Sequence, residues 1–205
     1  MIEGIPILMA ENGLVVADKP SGLLCQPGKG PHLRDSVVSR LRKKWPTIEL
    51  IHRLDRDTSG LILLAIDPII HRDISVLFMK RQVFKRYVAD VAGVPSKTQG
   101  KIDLPLEKIS NQPPRYAACS SGKPCLTEWT LFQSHASWSR LHLYPHTGRS
   151  HQLRAHMAEM GHPILGDAIY GDKVTSIRLR LHACELSFIH PSSGQRIELE
   201  SDLPF

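Results

Sequence analysis

Strand-like segments recur along this chain, while segments with a helical pattern are few. Runs of apolar, β-branched and aromatic residues bounded by turn residues occur at 14–17, 61–66, 84–91, 101–106, 126–132, 141–144, 181–189 and 196–199. A doubly wound parallel sheet needs a helix after nearly every strand, and most of these intervals lack one. We therefore predict an α+β fold with a mixed, largely antiparallel β-sheet and flanking helices.

Three segments have the apolar spacing of helices. The first spans 35–44, with Asp35 as its predicted N-cap and a basic outer side. The second spans 68–81 and starts at a proline, which suits the first turn of a helix. The third follows Ser150, its predicted N-cap, and ends at a Gly and a Pro.

The size and composition of the chain suit a single domain comprising residues 1–205. Of its 205 residues 41% are hydrophobic, and there is no internal repeat or linker. The proline-rich stretch at 95–124 is interpreted as loops within this domain rather than as a boundary. No segment approaches the roughly 20 apolar residues that span a bilayer, so we expect no membrane association.

Charge and cysteine usage indicate the kind of partner and compartment. A formal net charge of +6 favours a polyanionic partner such as RNA, although the same charge can simply keep a protein in solution. The cysteines are scattered, without the close pairs of metal or redox motifs: Cys25, Cys119, Cys125 and Cys184. We therefore predict reduced thiols and a cytoplasmic protein.

A charged segment leads directly into the most apolar strand pattern of the chain. His52-Arg53-Leu54-Asp55-Arg56-Asp57-Thr58-Ser59-Gly60 precedes the apolar run 61–65. Functional side chains on loops are positioned best when the loop is anchored to a buried strand. The flanking arginines, and two more in the segment 147–154, favour an ionised carboxylate. Asp55 is therefore a candidate nucleophile, although arginines and aspartates in a loop often only pair with each other.

Tyr87 lies among basic residues in the strand-like segment 84–89. A tyrosine in such a setting can stack on a nucleobase or accept a proton. A tyrosine in a strand more often only packs against its neighbours, so the residue pattern leaves both roles open.

The histidines do not have the spacing of a metal site. Those at 142, 146, 151, 156, 162 and 182 fall into neither a His-Glu-x-x-His motif nor a pairing with closely spaced cysteines. We therefore predict no metal. Residues 27–30 lack the spacing of a phosphate-binding P-loop, and with no other cofactor motif in the sequence we also predict no cofactor.

Taken in order, several segments resemble the RluA-type pseudouridine synthases. Residues 52–55 with 58–60 are similar to the family's catalytic motif, 19–22 to the turn before it, and 85–89 to its tyrosine motif. The similarity continues in family order through 122–124, 127–129, 147–149, 151–156, 162–167 and 181–183. It covers nearly the whole chain, and Cys125 is a departure, because the family commonly has alanine there.

This resemblance implies an isomerase that converts a uridine in a stem-loop of tRNA, of 23S-type large-subunit rRNA, or of both to pseudouridine. It implies that Asp55 is the catalytic aspartate, that Tyr87 contacts the uracil ring, and that Arg154 is the basic partner holding the aspartate. Further RNA contacts are predicted for Arg53, which resembles the arginine that fills the space of the displaced base, and for Arg56, Lys19, Lys85, Arg149 and His151. A monomer without a separate N-terminal RNA-binding domain is expected.

Two other functions stay open from the residues themselves. A catalytically silent RNA-binding or chaperone module accounts for the positive charge but leaves Asp55, Tyr87 and Arg154 unused. A metal-dependent RNA hydrolase uses the histidines, and it would lose activity on chelation.

Overall fold

The computed structural model describes residues 1–171 and 176–205. The elements of these residues are, in chain order, β1 (Ile7–Glu11), β2 (Leu14–Lys19), a 3-10 helix (Pro31–Leu33), α1 (Val37–Leu41), β3 (Glu49–Leu50), β4 (Ser59–Ala65), α2 (Pro68–Met79), β5 (Phe84–Ala92), β6 (Gln99–Asp103), β7 (Leu106–Asn111), β8 (Pro114–Ala118), β9 (Leu126–Ser134), β10 (Trp138–Pro145), α3 (Gln152–Glu159), β11 (Leu181–Ile189) and β12 (Arg196–Glu200). Strands outnumber helices, which confirms the predicted α+β class. None of the helices in the described residues is long and apolar enough to cross a membrane.

The chain divides into two compact units. The first comprises Met1–Phe84 and Ala183–Asp202, and the second comprises Lys85–His182 and Leu203–Phe205. In the first unit, β1 pairs with β2 and β2 with β4, both antiparallel, while β12 pairs antiparallel with β11. Every residue of β4 is buried, and Leu61, Leu63 and Ala65 join side chains of β2 and α2 in one apolar core. The apolar run that follows the charged segment is therefore a central strand, as predicted.

The second unit is built on an antiparallel sheet with the strand order β5-β10-β9-β6. One face of this sheet packs against α3, and the core between them contains Leu141, Leu143, Leu153 and Met157. The hairpin β7–β8 forms a separate pair. The proline-rich stretch therefore contains strands, and its interpretation as loops is wrong. Similarly, the predicted strand at 101–106 divides into the end of β6 and the start of β7.

The helix starts follow local hydrogen bonding, and two predicted caps are wrong. Ser36, not Asp35, caps α1: its hydroxyl accepts from the backbone N–H of Ser39, whose own hydroxyl accepts from the N–H of Ser36. The Asp35 carboxylate instead binds the Arg40 guanidinium, at 2.6 and 2.8 Å. Both α1 and α2 end earlier than predicted, at Leu41 and Met79.

The third helix starts without the predicted side-chain cap. His151, not Ser150, occupies the N-cap position of α3, and it has a left-handed backbone with φ of 55°. Its side chain makes no capping hydrogen bond. Instead, the Gln152 side chain accepts from the backbone N–H of Arg149 at 3.1 Å, so the loop before the helix is held from inside the helix.

Candidate active site

The loop that carries Asp55 is held through its backbone on both sides of that residue. On the N-terminal side, the Cys25 thiol donates to the carbonyl of Leu54 at 3.1 Å, and the Leu54 N–H lies 3.2 Å from the same sulfur. On the C-terminal side, the Arg56 carbonyl accepts from the Gly22 N–H at 3.0 Å. Because both neighbours are fixed, the half-buried Asp55 side chain leaves the loop from a backbone of defined position.

Lys19 anchors this loop from the interior of the protein. Its side chain is fully buried, and its Nζ donates to the carbonyls of Arg56 at 2.7 Å, Leu23 at 2.8 Å and Pro20 at 2.9 Å. An ammonium group carries three donors, and burying it requires hydrogen bonds of this kind. The prediction that Lys19 binds RNA directly is therefore wrong, because its charge is used inside the protein to join the turn at 20–23 to the loop.

Cys25 acts in this loop as a neutral hydrogen-bonding group. Burial raises the pKa of its thiol above the ordinary value, and this outweighs the opposing effects of the hydrogen bond to Leu54 and of the charges on Lys19 and Arg53. The thiol therefore keeps its proton at neutral pH and can donate it to the Leu54 carbonyl.

The start of β4 fixes the other end of the loop. Gly60 has φ of 111°, a conformation that favours glycine, and a Cβ at this position would collide with the backbone of Ala183. His52 also ties the loop to β4, because its Nε2 accepts from the Leu63 N–H at 3.0 Å while its ring stacks on Phe78. The backbone of β11 at Ala183 thus leaves no space for a larger residue than glycine at position 60.

Arg53 and Arg56 both lie exposed on this loop. The Arg56 guanidinium pairs with the neighbouring Asp57 carboxylate at 3.0 Å, and both side chains face solvent. Such a pair contributes little to stability, and its guanidinium can easily exchange the carboxylate for another anion. At Arg56 the loop thus contains the pairing of an arginine with an aspartate that the sequence left open as an alternative, and both arginines stay exposed.

In the second unit, Tyr87 and Lys85 lie on β5, and both are half-buried. Tyr87 is opposite Leu143 of β10 and packs against the apolar core of this unit. The core holds one part of the tyrosine side chain while leaving another part accessible, which is the arrangement that a stacking or proton-accepting tyrosine requires.

Arg154 lies on the buried side of α3 and forms an ion pair with Asp167. Arg154 Nε and Nη2 lie 2.7 and 2.8 Å from the two carboxylate oxygens, and the side chains are 5% and 0% exposed. Asp167 Oδ1 also accepts from the backbone N–H groups of Ile169 and Tyr170. Burial acts to raise the pKa of Asp167, but the guanidinium and these hydrogen bonds outweigh it and hold the pKa below its ordinary value.

The segment before Arg154 is organised by Gln152. The Gln152 amide accepts from the Thr147 hydroxyl at 2.6 Å and donates to the Leu126 carbonyl at 3.0 Å. Arg149 lies exposed at the tip of this segment. His151 is half-buried, with its Nδ1 3.1 Å from the Tyr170 hydroxyl, so one edge of its ring is used within the protein.

Sequence reasoning misses Asp167, Gln152 and the actual role of Lys19. Asp167 lies within a segment that resembles the family, but that resemblance gives it no role. The signal that points to it is Arg154 itself, because a charged residue on the apolar side of a helix requires a buried partner. Among the described residues, no group of three or more His, Cys, Asp or Glu side chains is placed to hold a metal ion.

Comparison with known proteins identifies sequence relatives over nearly the whole chain. The sequence profile of the family described as RNA pseudouridylate synthase matches residues 13–159. The dual-specificity RNA pseudouridine synthase RluA of Yersinia pestis is 40% identical, over 97% of this chain and 99% of the relative. The protein of the same name from Pasteurella multocida is 43% identical, over 98% of this chain and 94% of the relative.

Solved structures have the same fold. Human RNA pseudouridylate synthase domain containing 1 superposes with a TM-score of 0.84 at 25% identity, covering 100% of this chain and 86% of the human chain. Human RNA pseudouridylate synthase domain containing 4 superposes with a TM-score of 0.80 at 26% identity, covering 97% of this chain and 88% of the human chain. The profile match includes Asp55, Tyr87 and Arg154, so all three lie within the region of family similarity.

Proposed function

This chain belongs to the RluA-type RNA pseudouridine synthases, which are isomerases, and we propose that its substrate is a uridine in a stem-loop of tRNA, of large-subunit rRNA, or of both. The near-full-length similarity to relatives named as dual-specificity RNA pseudouridine synthases carries this proposal. The positive net charge supports it, because a polyanionic substrate is attracted to such a protein.

We propose that Asp55 is the catalytic carboxylate, that Tyr87 contacts the uracil ring, and that Arg154 is the basic partner of the carboxylate. Isomerisation breaks the bond from uracil N1 to the ribose carbon and forms a bond from uracil C5 to the same carbon; C5 loses its proton and N1 gains one. The backbone on both sides of Asp55 is held by hydrogen bonds. Its carboxylate can therefore act at one position without the entropic cost of ordering the loop in each turnover.

A stacked uridine must leave its stem-loop before a carboxylate reaches the glycosidic bond. Extruding a nucleotide costs a few kcal/mol, which contacts to the RNA backbone and to the flipped base must offset. We propose that Arg53, Arg56, Lys85, Arg149 and His151 supply part of these contacts. Their support is positive or polar character together with at least partial exposure, a condition that Lys19 does not meet.

We further propose that residues 1–205 work as one catalytic domain, and as a monomer in the cytoplasm. The family match extends from residue 13 to 159 and so includes parts of both compact units, which supports a single functional domain. All four cysteines are free thiols, which suits a reducing compartment.

Tritium release tests the activity directly. Transcripts of a tRNA anticodon stem-loop and of a large-subunit rRNA hairpin, labelled at uracil C5, are incubated with the protein and with Asp55→Asn. We expect the wild type to release tritium from at least one transcript, and Asp55→Asn to release none while its RNA affinity falls only modestly. Turnover by Asp55→Asn would refute the role of Asp55. Absence of turnover by the wild type, together with intact RNA binding, would instead favour a silent binding module.

A further inference from the structure

A stacked pair of rings, of which Phe132 is exposed and His142 is half-buried, lies on the face of the second unit's sheet opposite its core. Phe132 of β9 is 62% exposed, and its ring stacks on the ring of His142 of β10, with centroids 4.7 Å apart and planes inclined by 23°. Burial does not account for a phenylalanine in this position, because most of its apolar surface remains in water. The stacked geometry shows that the Phe132 ring packs against the His142 ring.

A β-bulge of β9 lies at Phe132. Arg140 is opposite Gln133 and Leu141 is opposite Leu131, so Phe132 is an extra residue of β9 with no partner of its own in β10. Bulges bend a strand and redirect a side chain, and they occur often near functional sites. The bulge of β9 therefore lies at the residue that carries the exposed ring.

This pair lies on the other face of the strands from Tyr87. Tyr87 is opposite Leu143, and both belong to the face that packs against the core with α3. His142 is the preceding residue of β10, and successive side chains of a strand point to opposite faces. Arg86 shares the face of His142, and its Nη1 is 3.5 Å from His142 Nε2. A positively charged group therefore lies beside the stacked rings.

We propose that Phe132, supported by His142, is a stacking site for an unpaired nucleobase of RNA, separate from the residues assigned to catalysis. Every base has a face that stacks on an aromatic ring, and a nearby guanidinium attracts the adjoining phosphate. This inference rests on the proposed function, because it takes RNA as the partner. It adds a contact to a nucleotide other than the reacting uridine, and this contact accepts any base.

Binding of a uridine-free oligonucleotide separates this site from turnover. A fluorescein-labelled oligoadenylate of about 12 nucleotides, which matches the usual length of single-strand sites, is titrated and followed by fluorescence anisotropy. We expect Phe132→Ala to weaken binding about fivefold or more, since stacking on one aromatic ring is worth at least that much. Phe132→Leu keeps apolar bulk without a stacking face, and it should weaken binding equally. Phe132→Trp should bind within about twofold of the wild type, with its added emission quenched by the oligonucleotide.

Two controls define the outcome. Met79→Ala removes another exposed apolar side chain, 74% exposed and in the first unit, and should leave affinity unchanged. An abasic oligomer of the same length should bind the wild type and Phe132→Ala alike, because it has no base to stack. The proposal is overturned if both Phe132→Ala and Phe132→Leu bind the oligoadenylate within about twofold of the wild type. It is also overturned if Phe132→Ala only abolishes self-association of the protein. Tritium release by the wild type is measured separately, so the proposed function can fail while this site stands.

Discussion

Replacing Asp167 by Asn should destabilise the protein by about 3–5 kcal/mol, which is the usual cost of removing one partner of a buried ion pair. Arg154 and Asp167 join through two short hydrogen bonds, and both side chains are nearly inaccessible to water. With Asn, the guanidinium stays buried and faces an amide that carries no charge. A loss of this size is a third or more of the stability of many domains, so the urea midpoint should fall clearly.

The matched control is an equally short ion pair on the surface. Arg196 and Glu198 lie 2.6 Å apart with both side chains about two-thirds exposed. Glu198→Gln should cost less than about 1 kcal/mol, because water screens the pair and solvates the partner that remains. If Asp167→Asn also costs less than about 1 kcal/mol by urea unfolding, the reasoning about the buried pair is refuted.

A double replacement separates the cost of an orphaned charge from the value of the pair. Arg154→Met with Asp167→Leu removes both charges, and it should be more stable than Asp167→Leu alone because the interior then holds no guanidinium that has lost the Asp167 carboxylate. The same double variant should still lack pseudouridine formation, since Arg154 has a proposed catalytic role. Recovery of stability without recovery of activity would therefore distinguish packing from chemistry at this position.

The stabilisation by Asp167 also has a defined pH dependence. Its pKa in the folded protein is lower than in the unfolded chain, so its contribution is complete above the unfolded value, near 4, and is lost as pH falls through the folded value. The difference in stability between wild type and Asp167→Asn should therefore be constant near neutral pH and shrink in acid. A difference that grows as pH falls below about 4 would contradict the direction of this shift.

Three further results are expected. Lys19→Met should cost about 3 kcal/mol or more in a urea titration, because three backbone carbonyls lose a charged donor, and kcat should fall more than RNA affinity; an unchanged kcat would contradict the anchoring role. Gly60→Ala should give little folded protein, as seen by circular dichroism, because its Cβ meets the Ala183 backbone, whereas Gly148→Ala, which has no atom within contact distance, should change stability by no more than about 0.5 kcal/mol. RNA affinity should decrease with salt, with a log–log slope of about −0.7 for each phosphate neutralised, and a flat response would argue against binding through the basic groups.

The strands and the second helix could be predicted because their signals are local. The apolar run at 61–65 has no polar position, which identifies a central strand, and Pro68 after an Asp marks a helix start that the structure confirms. The β7–β8 hairpin gives no such signal, because most of its side chains are exposed, its turn contains Pro113 and β8 itself begins at Pro114. Its strands are stabilised by pairing and by contacts such as the Tyr170 hydroxyl accepting from Tyr116 N–H, which depend on the tertiary fold.

The candidate site could be proposed from the sequence to the extent that its residues form a continuous motif. The spacing in 52–60 identifies the loop and Asp55, and the family resemblance adds Tyr87 and Arg154. Neither source reveals that Lys19 is buried, because a lysine beside a Pro-Ser-Gly turn has the composition of a surface loop. Only the tertiary structure shows that the turn folds back over the loop, so that three carbonyls converge on one ammonium group.

The way the loop is held separates two functions that the motif combines. Its backbone is fixed by hydrogen bonds to Leu54 and Arg56 from outside the motif, whereas the side chains of Arg53 and Arg56 take no part in that support. The exposed arginines are thus able to contact RNA without altering the position of Asp55. It follows that changes in the turn at 19–25 should act on the chemical step, and changes of the exposed arginines on RNA binding. Changes that act on the chemical step should lower kcat, whereas changes that act on RNA binding should raise KM.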